Sequence, residues 1–517
     1  MSPSPRQEPA SRRPDDSLAA LDSAKRIAAC ILVMPGVDDE GLPDTATADA
    51  VRAGVGALHS VAGMPASAVA RYHAEIRRIA AEAGVPAPLM AGNLESGIGY
   101  SLGRTGTDLP YPRGVGIAAD PQLAYRVALL AGQEARAVGY DWTLSPTIDT
   151  LTTDRDPILG VRAFGVDATL TAELGAAQVR GFRDGGVIAS AKHFPGHGDS
   201  TVDSHLGLPV IDRDAETHQN VHVAPFAAAI AAGVHTIMVA HVVLPSLGVH
   251  EPASLSATVN RTWLREQLGF EGVIITDSLR MAAVAARWSR PESVVLALAA
   301  GADVANAKCA ADELPALVAA VEQAIDDGRV DPAELDRSVL RLLHLRAELV
   351  RMRREYPRPQ ALDAALRWED STRAATVDVA GRPRGLDGAA GLTILGDSDL
   401  AARLVAAAVE RGVAARHIKE PATAAAIQQV TGAARDGLVP VIVPPVALSD
   451  DDRWNIDEVV AASVGLPGVV VNGVMPAARL AADGTAIIVA PAVDAFGVCT
   501  EAAVDAVLDH LVGRGQA

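Results

Sequence analysis

The chain has 517 residues, 49% of them hydrophobic and 21% charged, and a net charge of −18. That length exceeds one typical domain and points to two. The acidic balance argues against a nucleic-acid partner, whose phosphates demand basic patches, and no stretch reaches the roughly 18 uninterrupted apolar residues of a membrane span.

Met1 to Asp16 is rich in Pro, Ser, Arg and Asp and has no apolar core, so residues 1–16 read as a disordered tail rather than a secretory signal. Cys30, Cys309 and Cys499 show no metal-ligand spacing. Cys30 and Cys309 sit in apolar surroundings and read as buried thiols in a reducing compartment, which places the protein in the cytoplasm.

From Ala24 onward, short apolar runs alternate with longer amphipathic ones. Predicted strands are Ala28–Met34, Val55–Val61, Ala87–Gly92, Asp141–Pro146, Val187–Ala191, Thr236–His241, Gly272–Thr276 and Asp303–Ala307. Helical patterns between them include Ser67–Ala83, Pro121–Val138, Ala168–Asp184 and Thr258–Leu268. Such alternation argues for parallel βαβ units, and eight of them suggest a (β/α)8 TIM-like barrel over residues 17–355. Residues 356–390 are charged and Pro-containing and read as a linker. Five further short strands start at Leu392, and with helical stretches between them they predict a smaller doubly wound α/β sandwich domain over 391–517. That region has no G-x-G-x-x-G or P-loop pattern, so no nucleotide is assigned to it.

Polar residues cluster just after several barrel strands: Asn93 and Glu95, Asp149, Lys192 and His193, His241, and Asp277. In such barrels the C-terminal ends of the strands build the active site, so these positions converge on one pocket. Asp277 follows the apolar run Gly272–Thr276, where an Asp serves equally well as the N-cap of a following helix. His197, His205 and His241 share no short ligand spacing, so no metal is expected.

The stretch Lys192-His193-Phe194-Pro195-Gly196-His197-Gly198-Asp199, continuing through Asp203-Ser204-His205 to Pro209, resembles the signature of glycoside hydrolase family 3, in its β-N-acetylglucosaminidase branch. The resemblance spans about Ala24 to Leu345 and implies the same barrel, often followed by an α/β sandwich. It implies that Asp277, in the Ile274-Ile275-Thr276-Asp277-Ser278-Leu279-Arg280-Met281 segment, is the nucleophile of a covalent glycosyl-enzyme. It points to His205, oriented by Asp203, as acid/base. Arg162, Lys192 and His193 match hydroxyl-binding positions, and Glu95, His241 and Met281 complete the expected substrate set.

One departure stands out. Asn93 occupies the position of a hydroxyl-binding Asp, and the usual Arg positions hold Ile98 and Ser101, with Arg104 a substitute donor. The expected activity is retaining, exo-acting removal of a terminal β-linked N-acetylglucosamine or related sugar. No cofactor is expected, and the partner is a small-molecule glycoside. A phosphorylase using the same residues and a sugar-binding barrel that has lost catalysis stay open as alternatives.

Overall fold

In the computed structural model the described residues are 14–61, 63–102, 106–107, 109–152, 159–200 and 207–356, then 378–380, 391–396, 399–419, 426–427, 438–443, 468–471, 487–489, Val504, Val507, Leu508 and Leu511. Eight parallel strands form one sheet: β1 (Ile31–Met34), β2 (Ala57–His59), β3 (Leu89–Gly92), β4 (Trp142–Thr143), β5 (Ile188–Phe194), β6 (Thr236–Val239), β7 (Val273–Thr276) and β8 (Ala305–Ala310). β8 pairs with β1, and an Ile275–Val304 bridge joins the β7 side to the β8 side, so the sheet closes into a barrel. The strands are buried nearly throughout, as expected where helices cover the outside and side chains fill the inside.

Most strands are shorter than their apolar runs. Ser23–Ala29 is helical because the Asp22 carboxylate accepts the Lys25 N–H at 2.8 Å and caps it, so β1 starts at Ile31 and not at Ala28. β5 departs the other way and runs on to Phe194, carrying Lys192 and His193 inside the strand. A stretch that reads as a loop in sequence is thereby held by a ladder. Pro14–Ala19 is a short helix, so the expected tail is ordered from Pro14, and its first 13 residues lie outside the described residues.

The N-terminal ends of the strands are locked by buried carboxylates. Asp303 accepts from Ser338 Oγ (2.7 Å), Arg341 (2.9 Å), Arg265 (2.5 Å) and the Ile274 N–H (2.8 Å). Asp141 accepts from Arg77 (3.0 Å), Arg353 (2.9 Å) and the Met90 N–H (3.1 Å). Ser338, Arg341 and Arg353 all lie on the helix Pro332–Glu355, which is thereby pinned across the bottom of the barrel. Cys30 and Cys309 are buried, and burial pushes the Cys309 thiol up to about 11.

A second sheet has the order β11-β10-β12-β13-β14-β9, with β9 (Asp378–Ala380), β10 (Gly391–Leu395), β11 (Ala415–Ile418), β12 (Leu438–Ile442), β13 (Gly468–Val471) and β14 (Ile487–Val489). All its pairs are parallel except β14–β9. β9 falls in the stretch read as a linker: three residues are too few to show a periodicity, and antiparallel pairing with β14 alone defines them. No helix among the described residues is long and apolar enough to cross a membrane.

Candidate active site

A cleft opens among the C-terminal ends of the barrel strands. His59, Asn93, Leu144, Leu159, Arg162, Lys192, His193, His197, Met238, Asp277, Ser278, Met281, Asn306 and Lys308 line it. Six of the sequence-predicted site residues are among them: Asn93, Arg162, Lys192, His193, Asp277 and Met281.

Glu95 lies beneath this floor. Its Oε1 accepts from Lys192 Nζ and from Arg162 Nη2, each at 2.7 Å, and its side chain has no exposed surface. Burial works to raise the Glu95 pKa, but the Lys192 and Arg162 charges and their hydrogen bonds hold it at about 2. The carboxylate therefore sets the positions of two cations that face the cleft. Its own Oε2 is buried without a hydrogen-bond partner among the described residues. Asn93 Oδ1 takes a longer hydrogen bond from Lys192 Nζ at 3.5 Å.

His193 is fixed from behind. Asp149 Oδ2 accepts the His193 N–H at 3.0 Å and lies 2.8 Å from its Nδ1, while Asp149 Oδ1 accepts the His197 N–H at 2.7 Å. A carboxylate on Nδ1 places the proton there and turns Nε2 outward as an acceptor in the neutral ring. Burial lowers the His193 pKa against the pull of Asp149. Two glycines make the following turn possible. A Cβ on Gly198 would lie 2.1 Å from the Thr150 carbonyl oxygen, and Gly196 has φ +107° beside His222.

Asp277 sits one residue beyond β7. Its N–H donates to the Val239 carbonyl at 2.8 Å, and its Oδ1 accepts the Ser278 N–H at 2.7 Å. Burial raises its pKa, yet His193, His241, the Ser278 N–H and Lys192 together outweigh this and hold it well below the usual carboxylate range. At neutral pH it is an anion within a cleft lined by cations. That is the charge state a carboxylate nucleophile needs.

His241 is not among the residues that line the cleft. Its Nε2 donates to the Ser278 carbonyl at 2.9 Å, and its Nδ1 lies 2.6 Å from Ser254 Oγ. Both ring nitrogens serve the protein, so His241 supports the Asp277–Ser278 turn. Asp203, His205 and Arg104 lie outside the described residues. Asp199 braces the loop by accepting from Arg213 Nε (2.6 Å) and Nη2 (2.7 Å).

Sequence reading missed the β2 and β8 contributions. His59 ends β2, where burial first, and Lys308 second, lower its pKa to about 3. Asn306 and Lys308 lie two apart on β8. The sequence does hold a signal for them, because they break an otherwise small apolar run. The predicted strand stopped at Ala307, one residue short of Lys308.

A (β/α)8 barrel with a buried carboxylate among cationic and polar side chains at its C-terminal face belongs to the class of barrel enzymes with a carboxylate-based site. The sequence profile of the glycosyl hydrolase family 3 N terminal domain matches residues 44–345, over half of the chain, and the chain belongs to this family. A β-N-acetylglucosaminidase/β-glucosidase of Cellulomonas fimi is 34% identical over 271 residues, which are 50% of this chain and 47% of that protein. A β-hexosaminidase of Xylella fastidiosa (strain 9a5c) is 41% identical over 202 residues, 38% of this chain and 59% of that protein. The chain thus spans about half the length of the curated relatives it matches. Among solved structures, a family 3 β-N-acetylglucosaminidase from Paenibacillus sp. str. FPU-7 superposes with a TM-score of 0.81 at 25% identity, covering 96% of this chain and 97% of that one.

Proposed function

We propose that the chain is a retaining, exo-acting β-glycosidase that removes a terminal β-linked N-acetylglucosamine or a related sugar. The observation that carries this is Asp277: a buried anion at the end of β7, in one cleft with Lys192, Arg162, His193 and Asn93. In this reading the Asp277 carboxylate attacks the anomeric carbon as the glycosidic C–O bond breaks. His205, oriented by Asp203, protonates the leaving oxygen. The same histidine then takes a proton from the water that hydrolyses the glycosyl-Asp277 ester. Arg162, Lys192 and the outward Nε2 of His193 hold the sugar hydroxyls. The barrel supplies this chemistry, and the region from 391 onward is a separate, non-catalytic domain. The names of the relatives above support the N-acetylglucosamine preference.

The test is turnover of an aryl β-N-acetylglucosaminide with and without inorganic phosphate. Release of free sugar with net retention, independent of phosphate, is the expected result. Strict phosphate dependence with a sugar 1-phosphate product would replace hydrolysis by phosphorolysis. No turnover of any aryl β-glycoside would overturn the proposal.

A further inference from the structure

β8 brings two polar side chains into the cleft that the reaction above does not use. Asn306 and Lys308 alternate along the strand and line the same wall. Asn306 is fixed by its backbone: its N–H donates to Thr276 Oγ1 at 3.1 Å, and its carbonyl accepts the Leu279 N–H at 3.0 Å. The residue is 3% exposed, yet its Oδ1 has no hydrogen-bond partner among the described residues. A buried amide oxygen left in this state lacks the donor that such groups nearly always have.

Lys308 differs from the other two cleft cations. Arg162 and Lys192 share the Glu95 carboxylate at 2.7 Å. Among the described residues Lys308 has neither a hydrogen bond nor an ion pair within 4.0 Å, although it is partly buried. Its backbone is left-handed at φ +46°, an uncommon state for a residue with a side chain. Burial lowers its pKa first, the positive charges of Arg280 and Arg162 add to this, and Asp277 and Glu95 oppose it.

Among the described residues, an ammonium group with no carboxylate in direct contact and an amide oxygen without a donor stand side by side on one strand, and they call for a ligand bearing an oxyanion and a nearby hydroxyl. A sugar ring whose exocyclic carbon is a carboxylate offers both. We propose that Asn306 and Lys308 form a specificity corner that selects β-glycosides carrying a carboxylate on the sugar in the cleft, of the uronic-acid class. The inference rests on the glycosidase reading above and narrows its substrate. The Lys308 ammonium donates to the carboxylate, and Asn306 Oδ1 accepts from the adjacent ring hydroxyl. Asn93 fits the same picture, because an uncharged residue beside Lys192 adds no repulsion toward an acidic sugar.

The test compares kcat/KM on aryl β-glucuronide, β-glucoside and β-N-acetylglucosaminide for the full chain, with Lys308→Met and Lys308→Arg. The glucuronide is expected to lead the glucoside. Lys308→Met should lower the glucuronide-to-glucoside ratio by about tenfold or more, the usual loss for a hydrogen bond to a charged group, and Lys308→Arg should largely keep it. Turnover of the neutral donors with a glucuronide ratio unmoved by Lys308→Met would overturn the inference and leave the glycosidase reading intact. A Lys308→Met effect on phosphate dependence alone would also overturn it, assigning the ammonium to phosphate. If no donor turns over, the glycosidase reading fails. Calorimetric binding of glucuronate against glucose then decides the corner by itself: preference for glucuronate, lost in Lys308→Met, supports it, and equal binding rejects it.

Discussion

Lys192 Nζ lies 2.7 Å from Glu95 Oε1, with 2% of the lysine side chain and none of the glutamate side chain exposed. The pair is tied to the barrel from both sides, since Lys192 belongs to β5 and Glu95 follows β3. Arg162 makes the same contact from the loop after β4. One carboxylate therefore gathers two cations from distant parts of the chain and presents them to the cleft.

Glu95→Gln should consequently be costly. Removing one partner of a buried ion pair leaves an uncompensated charge, which costs about 3–5 kcal/mol. We expect a lower urea midpoint and a drop in kcat/KM of at least about a hundredfold, as Lys192 and Arg162 lose their shared anchor. Wild-type stability with wild-type kinetics would show that the two cations are held by other groups.

Asn93→Asp probes the departure in the β3 loop. A hydrogen bond to a charged group contributes roughly 1.5–3 kcal/mol against about 1 for a neutral one. On a β-N-acetylglucosaminide the substitution should raise kcat/KM by somewhat under tenfold, because Asn93 already lies within reach of Lys192. Unchanged kinetics across N-acetylglucosamine, glucose and xylose donors would show that Asn93 does not touch the substrate.

Much of this site was legible in the sequence. Asp277 and Lys192-His193 stand out because charged residues directly after a buried strand have no packing role, and Asn93 and Glu95 follow a strand in the same way; Arg162 was reached only through the family resemblance. The barrel was legible from eight apolar runs. The boundaries were not, since apolar runs also feed the neighbouring helices and loops, as at Ala28 and Ala29. Glu95 looked like a sugar ligand because sequence cannot tell a cleft-facing carboxylate from one buried beneath it. His241 was ambiguous for the same reason: its two nitrogens are satisfied by Ser254 and the Ser278 carbonyl, a contact set only by tertiary packing. Asn306 and Lys308 were missed because Asn306 fell inside the predicted strand Asp303–Ala307, where its neighbours are small and apolar, and Lys308 fell one residue past it.

Acid should destabilise the fold before the carboxylates titrate. His73 and His218 are buried, and burial lowers each from 6.5 to about 4. The unfolded chain takes up these protons near pH 6.5 and the folded chain does so only near pH 4. Their contribution is thus complete above pH 6.5 and is lost as pH falls toward 4, by roughly 3 kcal/mol per histidine at most. Urea midpoints measured from pH 7.5 to 4.5 should fall, and His73→Gln should flatten the slope. A midpoint constant over that range would contradict the burial assigned to these rings.

Every described residue that lines the cleft comes from the barrel, the last being Lys308. A chain truncated after Glu355, if it stays folded by circular dichroism, should keep activity on an activated aryl glycoside. Complete loss of activity in a folded truncation would place a catalytic group beyond residue 355.

The most direct measurement of the central claim is covalent trapping. A fluorinated glycosyl donor that forms the ester quickly and hydrolyses it slowly should add one sugar mass to the protein, and peptide mass spectrometry should locate that mass on Asp277. Asp277→Asn should take up no label and should lose several orders of magnitude in kcat. Label on any other residue, or more than a tenth of wild-type activity in Asp277→Asn, would contradict the account.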